Sequence, residues 1–142
     1  ETFCSLRTID DMHLLANYQQ MLIYLESANE RSLVDMDAFQ QALREHIMRA
    51  MTKDTDTWKT GYVCRPSRFI ASKESVYYAD NRALALYECD FLRETQLPDG
   101  SWNVPWGWQG YDEQWFVSKN WWKTNIILEN LLYLKGMDAL TP

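Results

Sequence analysis

Two parts of this 142-residue chain have residue types and spacings that could do chemistry: the paired carboxylates Asp54 and Asp56, and a run of indoles between Gln96 and Trp122. An Asp-x-Asp pair presents hard oxygen ligands of the kind that hold Mg²⁺ beside a diphosphate. In a polar stretch such as Asp54-Thr55-Asp56-Thr57 the same residues also serve as helix caps and Asx-turn formers. The second part, QLPDGSWNVPWGWQGYDEQWFVSKNWW, carries six of the seven tryptophans. Its rings Trp102, Trp106, Trp108, Tyr111 and Trp115 alternate with Asn103, Gln109, Asp112, Glu113 and Gln114. Rings stack on pyranose faces while amides and carboxylates take hydroxyls, so the run could be a sugar platform. The competing reading is that these rings are the domain's own core. Asp112 and Glu113 are the carboxylates to weigh for glycoside chemistry, although neighbours in sequence rarely present the opposed pair that hydrolysis requires. Ser118-Lys119 reads as a helix start rather than as a nucleophile and its base.

Composition excludes several classes. With 14 basic against 20 acidic residues, a net charge of -6 and no Lys/Arg cluster, the chain has no electrostatic footprint for nucleic acid or an anionic membrane. No apolar run approaches the roughly 20 residues of a membrane span. Cys4, Cys64 and Cys89 are odd in number and lack ligand spacing, which fits reduced thiols in a cytoplasmic protein. His13 and His46 are remote from each other and no Cys/His ligand pattern joins them, so neither zinc nor another cofactor is expected. His46 reads as a partly buried or surface imidazole. The chain begins at Glu1 rather than Met, as expected of a trimmed chain or a piece of a longer protein.

The elements that must position these residues are helices. Leu14, Tyr18, Met21, Leu22 and Leu25 recur at three and four, predicting a helix over 10–27. Asp35 or Asp37 can cap a second helix with a buried stripe of Phe39, Leu43, Ile47 and Met51. From Thr52 to Ser75 the period is lost, predicting a long loop pinned by Trp58, Tyr62 and Phe69, with a short extended piece over 62–64. A third helix is expected from Glu74 or Tyr78 to Thr95, with Leu84, Tyr87, Phe91 and Leu92 inward. Pro98-Asp99-Gly100 is turn chemistry, and Pro105, Gly107 and Gly110 argue against a long regular element. Ser118 is then expected to cap a fourth helix, apolar nearly all round and therefore buried on several sides, that ends at Gly136.

Phe91-Leu92-x-x-x-Gln96-x-x-x-Gly100-x-Trp102 resembles the QW repeat of the prenyltransferase and squalene cyclase superfamily, in which helical hairpins build an α/α toroid. There the Gln and Trp tie a helix end to the following turn. The wider run through Trp58, 62–67, 99–102 and 118–123 resembles a group of bacterial proteins with prenyltransferase-like repeats and no established reaction. The resemblance implies an acid motif: Asp54-Thr55-Asp56-Thr57 is similar to the DxDD motif of cyclases, with Asp56 as alkene-protonating donor, Asp54 as its partner and Thr57 where the third aspartate would stand. Aromatic faces, Trp58 among them, would then stabilise the cation. A full toroid takes about six hairpins, and helices and loops of ordinary length leave room here for about two.

The expected protein is all-α, a single α/α-hairpin domain over 1–142 forming part of a toroid with long aromatic-rich loops. Its exposed apolar edges would meet the remainder of a longer chain or a second copy. An apolar isoprenoid ligand is the first functional reading, a sugar the second, a purely structural or interaction domain the third. The ligand-binding residues would be Trp58, Trp102, Trp106, Trp108, Tyr111 and Trp115.

Overall fold

A computed structural model describes residues 9–30 and 32–140. The chain is all-α: four α-helices and two short 3-10 turns stand among the described residues, with no strand. It divides into two compact units, Glu1–Thr52 and Lys53–Pro142. Cys4 lies outside the described residues.

The first unit is a pair of helices, α1 (Met12–Ser27) and α2 (Met36–Ala50). Asp11 starts α1 by accepting from the backbone N–H groups of His13 (2.8 Å) and Leu14 (3.1 Å), two of the donors every helix start leaves unpaired. Those same bonds, Leu14 first, hold its carboxyl below the ordinary value. Asn29 takes the left-handed conformation (φ 56°) that ends the helix. Asp35 then caps α2 through the N–H of Ala38. The stripe Phe39, Leu43, Ile47 and Met51 is buried as its spacing requires, and Tyr18 packs edge-on to Phe39 at 6.2 Å. Gln40 donates to Glu26 near the connection, while Ile9 N–H reaches His46 Nδ1 in the distal half of α2. The pair is a helical hairpin.

His46, expected to be partly buried or at the surface, is buried, and its Nδ1 also faces an Arg49 guanidinium nitrogen at 2.9 Å. Two donors converging on one ring nitrogen require the neutral imidazole with its proton on Nε2. Burial, then the Arg49 charge, lowers its pKa in agreement.

The second unit contains α3 (Tyr78–Thr95) and α4 (Asp112–Gly136), preceded by 3-10 turns at Thr55–Lys59 and Pro66–Arg68. Between these turns, where an extended piece was expected over 62–64, the chain forms no strand. Trp58 and Phe69 are buried and pin the loop. Trp58 meets Tyr87 and Phe91 edge-on at 5.6 and 5.5 Å. Tyr87 is nevertheless 46% exposed, contrary to its expected inward place; Ala85, Glu88, Cys89, Phe91 and Leu92 supply the buried face.

The fourth helix starts six residues before Ser118, at Asp112, with Gly110 at φ 77° just before it. Phe116 and Trp121 are 78% and 77% exposed, so the helix is not buried on several sides; Ile126, Asn130, Tyr133 and Leu134 form its buried face. At its end Gly136 lies against the backbone of Ala71, where an added Cβ would sit 2.0 Å from the carbonyl oxygen. Gly136→Ala is therefore expected to destabilise the fold by about 3 kcal/mol, the upper end for an overpacked site whose obstacle is backbone. Urea unfolding monitored by circular dichroism measures this, and an unchanged midpoint would refute the close approach.

Candidate functional site

The tryptophan segment divides into three parts with different surroundings. Leu97-Pro98-Asp99-Gly100 forms a turn closed by Gly100 N–H donating to Leu97 O (2.8 Å), with Gly100 at φ 80°. Asp99 accepts from both Ser101 Oγ (2.6 Å) and Ser101 N–H (3.0 Å), which, hydroxyl first, lower its carboxyl pKa. Gln96 donates its amide to Gly100 O at 2.9 Å. Buried Trp102 donates Nε1–H to Leu92 O at 2.8 Å, satisfying one of the carbonyls that the end of α3 leaves open. Gln96 and Trp102 thus each bond a backbone carbonyl at the end of α3 or in the turn that follows it.

Trp106 forms the second part, half-buried between Tyr62 (4.8 Å between centroids) and Trp122 (5.6 Å), both edge-on. It clasps the loop to α4. The third part is open. Trp108 tilts against Trp115 at 5.4 Å, and Trp108, Tyr111, Gln109 and Gln114 line a surface depression of about 470 Å³. Trp108 and Tyr111 are 41% and 61% exposed. The proposed platform therefore does not act as one surface: Trp102 is core, Trp106 is a clasp, and Trp108, Tyr111 and Trp115 stand together.

Asp54 and Asp56 are both exposed. Asp54 Oδ1 accepts from Asp56 N–H (3.2 Å) and Thr57 Oγ1 donates to Asp54 O (2.7 Å), so this stretch caps the first 3-10 turn. Trp58, next along, is turned into the interior. Asp112 and Glu113 sit exposed in the first turn of α4, where acids complement the helix dipole. Ser118 and Lys119 lie within α4 rather than at its start.

One constellation was missed by sequence reasoning. Glu88, fully buried on α3, accepts from Ser67 N–H (2.8 Å) and Ser67 Oγ–H (2.6 Å), and its carboxylate lies 3.3 Å from Arg65 Nε. Arg65 also lies over the Phe91 ring at 5.6 Å. Burial outweighs these partners and raises the Glu88 pKa above the carboxyl norm. Tyr133 donates to Ala85 O one turn away, and burial raises its phenol too. The 3-4 spacing of Ala85, Glu88, Cys89 and Leu92 was the available signal. A glutamate on an apolar stripe indicates a hidden partner, but not which residue it is.

Burial pushes the Cys64 thiol up to about 12 and also raises Cys89, so neither is activated as a nucleophile. Asn130 Nδ2 is buried with no hydrogen-bond partner among the described residues. Among those residues no three of His, Cys, Asp and Glu stand close enough to hold a metal ion, and no helix is long and apolar enough to cross a membrane. Comparison with known protein families, with curated proteins and with solved structures found no match.

Proposed function

We propose that this chain is a binding domain, an arc of helical hairpins of the prenyltransferase and squalene cyclase repeat type, which takes a ligand at Trp108, Tyr111 and Trp115 and meets further helices of a longer chain or a second copy. The observation that carries the ligand reading is the open depression where exposed rings stand beside Gln109 and Gln114. The depression is broad and open, so a ligand would lie across the rings and not be enclosed by them. Two rings give a stacking face on an almost wholly apolar lining, and the exposed side chains of Gln109 and Gln114 stand at its rim. This suits a pyranose, whose apolar face stacks while its hydroxyls bond at the rim.

The second reading is an isoprenoid. It is supported by the QW resemblance and by a lining in which rings dominate. Proton-initiated cyclisation has weaker support, because an alkene-protonating acid works in a dry aromatic enclosure whereas Asp54 and Asp56 face solvent.

Calorimetric titration with soluble oligosaccharides and, separately, a short prenyl alcohol tests the reading. Sugar binding weakened at least tenfold by Trp108→Ala is the expected result. Binding of the prenyl alcohol alone would replace the sugar with the second reading. Heat from neither would overturn ligand binding, and turnover abolished by Asp56→Asn would overturn the non-catalytic assignment.

A further inference from the structure

We infer that α4 pairs antiparallel with α4 of a second copy of this chain, through the face opposite its buried one. This deepens the reading of the chain as an arc in need of a partner by naming both the partner and the surface. Along α4, Val117, Trp121, Thr124, Leu128 and Leu131 follow one another at four, three, four and three residues, with Leu132 beside them. Such spacing makes a continuous helix-pairing seam. The buried residues Ile126, Asn130 and Tyr133 recur at four and three on the other side. Seam residues are open: Trp121 is 77% exposed, and Leu128 and Leu132 are each 56% exposed.

Charge selects the occupant and its direction. Between Gln114 and Leu134 the charged residues are Lys119, Lys123 and Glu129, and helical periodicity places all three away from the seam. The face is therefore uncharged in a chain of net charge -6, so two copies can approach along it without local repulsion. Its ends carry opposite signs, exposed Glu113 before the apolar run and exposed Lys135 after it. In an antiparallel pair Glu113 of each copy approaches the partner's Lys135, whereas a parallel pair sets like charges together. The centre of the seam is then Thr124, eleven residues from each end.

Six such side chains offer on the order of 600 Å², somewhat below the roughly 800 Å² per partner of a standard stable interface. The pairing is therefore concentration-dependent.

Sedimentation equilibrium on the full chain should show a monomer–dimer equilibrium with a micromolar dissociation constant. Leu128→Lys places a charge at the seam without filling any buried space and should weaken the dimer at least tenfold, with helicity by circular dichroism unchanged. Direction is read by oxidative cross-linking against a wild-type control. Thr124→Cys alone should give a disulfide dimer, as should a mixture of Val117→Cys and Leu131→Cys, whereas Val117→Cys alone should not. A monomer at every concentration, a dimer insensitive to Leu128→Lys, or a Val117→Cys self-cross-link would each overturn the proposal. Leu128 lies more than three turns along α4 from Gln114 and Trp115, so ligand titration beside sedimentation keeps the two readings apart: a wild-type chain that binds sugar or prenyl alcohol yet stays monomeric would sink this inference alone.

Discussion

Replacing Trp102 with alanine is expected to cost about 3–5 kcal/mol of folding stability, the range for truncating a buried aromatic in a site that cannot collapse. Trp102 is 4% exposed and its indole donates to the Leu92 carbonyl, so the substitution opens a cavity and also leaves a helix-end acceptor unpaired. Trp102→Phe separates the two effects: it keeps most of the ring and forfeits the bond, and should cost about 1–3 kcal/mol for a buried acceptor left unsatisfied. Trp108→Ala is the internal control. With Trp108 41% exposed, its effect should stay within about 0.5 kcal/mol. Denaturant unfolding of the three variants measures this, and equal losses at 102 and 108 would show that the two tryptophans do not have the separate roles assigned to them.

Glu88→Ala should be comparably damaging, about 3–5 kcal/mol, because it empties a fully buried site and leaves donors there without their acceptor. Both donors of Ser67 would lose their acceptor, and Arg65 would lose its side-chain partner. Adding Arg65→Met to Glu88→Ala should recover little, because Arg65 is a quarter exposed and water solvates it once its partner is gone; a large recovery would show that a stranded charge, and not the cavity and lost acceptor, set the cost. The pH dependence has a definite sign. Burial raises the folded pKa of Glu88 above its ordinary 4.5, so the fold favours the protonated acid over the ionised one. Its contribution is fully present below the unfolded value and declines as pH rises through the higher folded value. Stability of the wild type relative to Glu88→Gln, which cannot ionise, should therefore fall on going from acid toward neutral pH. A relative stability that rises over that interval would show that Arg65 and Ser67 hold the carboxylate ionised against burial.

Local chemistry determined much of what the sequence made legible. Asp11 and Asp35 have side chains that reach helix-start N–H groups two or three residues away, and the Phe39, Leu43, Ile47 and Met51 stripe needs only helical geometry to share a face. The Gln96 and Trp102 ties, which the resemblance to the QW repeat implied, are also local, since both act within ten residues across a turn that Pro98 and Gly100 specify. The start of α4 was not legible. Pro105, Gly107 and Gly110 break the chain early in the tryptophan segment, but the helix begins as soon as the last of them has passed, well before Ser118, where a cap was expected.

Tertiary structure alone decided the rest. Whether a tryptophan becomes core, clasp or open surface depends on what lies beside it, and Tyr62 and Trp122 reach Trp106 from 44 residues before and 16 residues after it in the sequence. The same holds for Glu88, whose partners Arg65 and Ser67 lie more than 20 residues upstream. Periodicity gives the direction of a side chain on its own helix, but not the charge or ring that meets it there. That meeting is set by the packing of separate segments, because burial makes a polar group bond to whatever partner the fold delivers.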